Sequence, residues 1–330
     1  MLEVFIIILL LVIISLFPLF PFNYSFALKD KETMGGVILD MQHTTAIKGV
    51  AILLILVGHI STTFSTVIFT PLASAGVSIF LILSGYGLSE SYKINGLLKY
   101  WQKKVCRVLL PYAIVITVMT LTKGNWNPLR YFFEVTGIKT SYWYIGYQMK
   151  WYLIFYLAMM LLPRYKLTIF AAVSFITFFL LSSLEIEQSI AFTIGVLLSD
   201  YKEQLSKLSS RKIFWIFLAS FFLATIFLGL KQIPFIRAQI GSCYYSFIQM
   251  MQNVFYAGSV IAFMMLVPKL TRVPFLIFCG IISYEIYLLH FPFYGMVDGS
   301  IILACILIIC SLLSSYMFFV FNNRISQLIS

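Results

Sequence analysis

Apolar stretches close to twenty residues long recur from the first residues of this chain to the last, and twenty is the number an α-helix needs to cross the hydrocarbon of a bilayer. A soluble domain of this length could not solvate a composition that is 61% hydrophobic and 11% charged. The expected fold is therefore an all-α polytopic membrane protein. Its net charge of +11 does not imply a nucleic-acid partner, because the charges sit in short loops between apolar spans and form no basic patch on a polar surface. Membrane lipid is the expected surrounding. The cysteines Cys106, Cys243, Cys279, Cys305 and Cys310 offer neither a disulfide framework nor zinc spacing.

Eleven spans can be marked: 3–21, 45–63, 72–90, 106–122, 149–163, 167–184, 188–199, 213–230, 251–267, 274–291 and 300–321. Residues 188–199 are short and read as tilted, broken or paired with a neighbour. The first span lacks a basic leader and a small-x-small cleavage site, so it reads as a retained helix and not as a signal peptide. The charge pattern checks the count. With Lys29 and Lys31 on the cytoplasmic side, 17 of the 23 basic residues collect there, and six (Lys123, Arg130, Lys139, Lys150, Lys231 and Arg237) fall opposite. That asymmetry follows the positive-inside rule, and it puts the N-terminus outside and the C-terminus in the cytoplasm of a multi-pass cell-membrane protein. Residues 1–37 form an extra helix and linker, 38–321 the main membrane domain of about ten helices, and 322–330 a cytoplasmic tail.

Within the second span, Lys48 and His59 stand eleven residues apart with no other charge between them. Eleven helical steps close three turns to within about 20°, which sets both on one face and about 16 Å apart. Such groups inside a span are costly, and by default they suggest function. Snorkelling by Lys48 and ordinary packing of His59 would also account for them. In 72–90, the small residues Gly76, Ser84, Gly85 and Gly87 allow a close neighbour, such as the His59 helix. Lys99, Lys103 and Arg107 follow an i, i+4, i+8 pattern with Lys104 beside them, as a polyanion site or a topology anchor would. His290 lies in Ser283-Tyr-Glu-Ile-Tyr-Leu-Leu-His290-Phe-Pro292, near the outer end of its span. Glu285 is the acid placed deepest. The 123–148 connection is rich in aromatic rings, Trp143 among them, suited to interfacial anchoring or to stacking on a sugar.

Taken in order, these stretches resemble the acyltransferase-three family of integral membrane O-acyltransferases. The basic residue, ten residues and histidine of that family match Lys48 and His59. Its Gly-x-x-x-Phe…Ser-Gly stretch matches Gly76, Phe80, Ser84 and Gly85, with Tyr86 following. Its basic-x-x-Arg pair before a proline matches Lys104, Arg107 and Pro111, and its Ser-Tyr-x-x-Tyr-Leu-x-His-x-Pro stretch matches Ser283 to Pro292. The resemblance covers about residues 38–321. Lysines at 48 and 104 stand where arginine is commoner, and the glutamate that many relatives carry after the tryptophan matched by Trp143 is missing.

The resemblance implies acetyl-CoA, or a similar acyl-CoA, as cytoplasmic co-substrate, no bound cofactor or metal, and a cell-envelope glycan as acceptor. His59 is then the general base, since a neutral imidazole can take a hydroxyl proton near neutral pH. Lys104 and Arg107 would hold donor phosphates at the mouth, Lys48 would line the donor path, and His290, Trp143, Ser84 and Tyr86 are candidates for the acceptor or a second site. With no appended extracytoplasmic domain, direct modification of a cell-surface polysaccharide or lipid-linked sugar is expected. The competing classes are a transporter or flippase of glycan precursors, disfavoured by the scarcity of intramembrane acids, and a non-catalytic partner of polysaccharide machinery.

Overall fold

A computed structural model describes residues 39–124, 126–180, 183–294, 297 and 299–329; the expected first span, 3–21, lies outside them. The described residues are helical throughout, joined by turns. In chain order the main helices are α1 (Met41–Thr63), α2 (Thr70–Asn95), α3 (Tyr100–Lys123), α4 (Pro128–Val135), α5 (Trp143–Leu161), α6 (Lys166–Leu180), α7 (Ala191–Asp200), α8 (Ser210–Gln232), α9 (Cys243–Leu266), α10 (Pro274–Ile281), α11 (Ser283–Tyr294) and α12 (Ile301–Ile329).

Seven of these helices, α6 being taken together with the 3-10 turn Pro163–Tyr165 that leads into it, are long and apolar enough to cross a membrane, and α10 with α11 makes an eighth that bends by 67° at its break. Two of the ten expected core spans meet that standard in neither way. Helix α7 has ten residues, about 15 Å of rise, so it is too short to cross alone. Helix α5 is long enough, but it starts six residues before the expected boundary and takes in Tyr144, Tyr147 and Gln148. Those side chains were expected in an external loop. They are buried against other helices instead, so low hydropathy marks an internal polar face here and not a loop.

Helices α1 and α2 form the centre: about two-thirds of each apolar window is buried, against about a tenth for α6 and α8, whose apolar faces are left for lipid. Asp40 caps α1, accepting from the His43 backbone N–H at 2.7 Å. Small residues set the inter-helix distances. A Cβ on Gly76 would stand 2.7 Å from the Ala51 carbonyl of α1, which is the close approach the sequence suggested. Gly85 faces a different neighbour, the Phe192 carbonyl of α7, and Gly195 of α7 faces the Ile82 carbonyl in return; Gly87 has open space.

Charged groups collect at the two ends of the bundle. At one end Glu90 accepts from Lys93 (2.7 Å) and Lys202 (2.6 Å), and Lys166 pairs with Asp200 (2.5 Å). The other end holds His59, the Lys150–Glu185 pair at 2.7 Å and the bond from Ser78 to Gln188 at 2.5 Å. Helix α12 runs on through Ile329, beyond the expected domain edge at 321, and Asn322 reaches Glu285 at 3.5 Å.

Candidate active site

His59, four residues before the end of α1, meets His290 of α11. His59 Nδ1 lies 2.8 Å from His290 Nε2, and the two rings are within 17° of coplanar with centroids 5.0 Å apart. Nearly coplanar rings at that separation, joined nitrogen to nitrogen, make an in-plane hydrogen bond and not a face-to-face stack. The break at Ile282 gives α11 its own direction, and His290 is carried to α1 from there. His290 is 1% exposed, and its Nδ1 lies 2.9 Å from the Ile286 carbonyl. A carbonyl only accepts, so His290 Nδ1 carries a proton. In the neutral pair His290 Nε2 must then accept, His59 Nδ1 must donate, and the lone pair of His59 falls on Nε2.

His59 borders a cavity of about 310 Å³ together with Trp143, Tyr142, Glu187, Lys231 and Gln249. A second cavity, of about 180 Å³, lies toward the start of α1 and holds Lys48, Arg107, Ser84, Gln148, Tyr152 and Tyr284. Ile55, Val77, Tyr144 and Tyr287 line both, so these four residues are the wall between them. The rings of Tyr144 and Tyr287 meet edge to face with centroids 5.5 Å apart.

Lys48 and Arg107 bring two cations to the smaller cavity, close enough to repel each other, and among the described residues neither forms an ion pair. Lys104 lies behind that cavity's wall, its ammonium 4.6 Å from the ring centre of Tyr152 and 5.5 Å from that of Tyr100. Arg107 sits in a π-helical turn, Val105–Leu109, just before Pro111. Proline has no N–H for the usual i−4 carbonyl, and a widened turn accommodates that. The Val108 carbonyl in this turn accepts from Tyr284 at 2.7 Å, which fastens α3 to α11 beside the cavity.

The structure therefore brings together His59 and His290 on one side of the wall and Lys48 and Arg107 on the other. Trp143 joins the histidine cavity and Ser84 the cationic one, where its Oγ accepts from Gln148 at 3.1 Å. Tyr86 lines neither: its hydroxyl donates to the Leu39 carbonyl at 2.9 Å, beneath the Lys202 ammonium at the bundle's end. Sequence reasoning missed Glu134, Gln148 and Glu187. Glu134 is 7% exposed; it accepts from Tyr112 at 2.7 Å and from the Ser141 backbone at 2.5 Å, so it anchors the segment that carries Tyr142 and Trp143. A lone buried amide or acid outside the apparent spans was the one available signal for these residues.

A family described as an acyltransferase domain matches residues 45–321, most of the chain and all of the residues that line the two cavities. No curated protein and no solved structure matches. The fold and the match define a membrane acyltransferase. The chain belongs to the acyltransferase-three family.

Proposed function

We propose that the protein moves acetyl from acetyl-CoA to a hydroxyl of a cell-surface polysaccharide or lipid-linked sugar, with His59 as the general base. The observation that carries this is the pair of adjoining cavities, one cationic and one with a histidine on its border, separated by a four-residue wall. The phosphates of the donor bind near Lys48, Lys104 and Arg107 on the side that the basic loops assign to the cytoplasm. The thioester end passes the wall toward His59.

In the transfer itself, the acceptor hydroxyl gives its proton to His59 Nε2 and its oxygen attacks the thioester carbon. The C–S bond breaks as the ester C–O bond forms, and the departing thiolate takes the proton from His59. His290 holds the His59 ring in the tautomer this needs, as the second member of a base–orienter pair.

Membranes containing the chain, incubated with radiolabelled acetyl-CoA, should transfer label to envelope glycan, and His59→Ala should lower the rate by about a hundredfold or more while inserting normally. Near wild-type transfer by an inserted His59→Ala protein would remove the base assignment.

A further inference from the structure

We propose that Glu187, Gln249 and Lys231 form a subsite for a neutral, hydroxyl-rich sugar ring inside the histidine cavity. This rests on the acyl-transfer function above and specifies its acceptor. Three separate elements supply the cluster: Glu187 from the turn before α7, Lys231 from the end of α8 and Gln249 from the first half of α9. Glu187 is 7% exposed, and its Oε2 accepts from Gln249 Nε2 at 2.7 Å. Lys231 is within electrostatic reach but outside ion-pair distance, its ammonium 5.7 Å from the ring centre of Tyr245.

A carboxylate buried among membrane helices is costly unless its acceptor sites are used. It offers about four such sites, and the one described side-chain bond occupies only one of them. The rest suit the O–H donors of a sugar. Trp143 lines the same cavity and supplies the apolar surface on which a ring's C–H face packs. His59 on the same border then meets one hydroxyl of a ring held in this way. Glu187 and Lys231 cancel in charge, so the lining has no net charge to match an anionic ring.

The test uses the purified full chain in proteoliposomes with acetyl-CoA and a panel of acceptors. The panel holds methyl glycosides of glucose, galactose, mannose and N-acetylglucosamine, the methyl glycosides of glucuronate and galacturonate, and n-butanol. A neutral glycoside should be acetylated in preference to the uronates. Glu187→Gln and Gln249→Leu should each raise its KM about tenfold, the cost of one charge-assisted hydrogen bond, without a comparable rise for acetyl-CoA or butanol. Gln249→Leu leaves the acid in place and covers the case in which Glu187→Gln does not fold. Unchanged glycoside KM in the folded variants overturns the subsite, as does preference for the uronates. Binding of acetyl-CoA with no glycoside accepted overturns it too and leaves the donor site standing. A wild-type protein that neither binds nor consumes acetyl-CoA brings down the function, and the subsite with it.

Discussion

At the scale of single residues, two imidazoles and a backbone carbonyl decide where a proton can go. Because His290 Nδ1 is committed to the Ile286 carbonyl, its Nε2 is the atom that orders His59. His290→Ala should therefore lower kcat about tenfold or more and leave the KM for acetyl-CoA nearly unchanged. His290→Gln, whose amide oxygen can accept from His59 Nδ1, should recover part of the loss; a plain packing residue would show no such rescue. Equal activity for wild type and His290→Ala, measured in the same membranes, would leave His290 without a positioning role. Sequence alone brought both histidines forward as motif members 231 positions apart. It could not join them, because contact across that separation depends on the direction of α11 after the bend.

At the scale of elements, α1 and α3 each supply one cation, Lys48 and Arg107, to the smaller cavity. Lys48 lies on the same helix as His59 but on the other side of the wall, which is why its charge should count for more than its length. Lys48→Arg should keep substantial transfer and Lys48→Met should lose most of it, with the loss appearing in the KM for acetyl-CoA. Arg107→Ala should act the same way, as should Lys104→Ala with a smaller effect, since Lys104 stands behind the Tyr152 ring. A fall in kcat at constant KM in these variants would place the phosphates elsewhere. Helices that are apolar on every face, such as α8, could be read from sequence to within three residues at each end. The beginnings of α5 and α9 could not, because Tyr147, Gln148, Gln249 and their neighbours look like loop residues until the helices that bury them are in place.

For the whole molecule, an expected alternation of loops between two ends, with the basic residues gathered at one, was readable from charge alone. The internal division into two cavities was not. Its wall is built from Ile55 and Val77 on the two central helices and from Tyr144 and Tyr287 on the arms of α5 and α11, and no local pattern connects four such positions. Orientation can be measured directly. A single cysteine placed at Leu98, which is exposed in the turn between α2 and α3, should react with a membrane-impermeant maleimide only after cells are opened. Labelling of intact cells would invert the topology and put the cationic cavity on the wrong side for a cytoplasmic donor.

The shared wall has a consequence for the cell's energy supply. On the proposed function the donor enters from one face of the bilayer and the acceptor from the other, and two hollows arranged in that way would leave only the layer between them as electrical insulation, with most of the transmembrane potential dropping across it. The residues that line both cavities, two aliphatic side chains and two tyrosine rings in edge-to-face contact, would be that layer. The proposed transfer would pass an acyl group by these rings while protons and ions stay on their own sides. Tyr144→Ala combined with Tyr287→Ala should therefore short-circuit the membrane: liposomes holding the double variant and loaded with a pH-sensitive dye should lose an imposed proton gradient that wild-type liposomes retain. A gradient held equally well by both would mean that the seal lies elsewhere in the bundle.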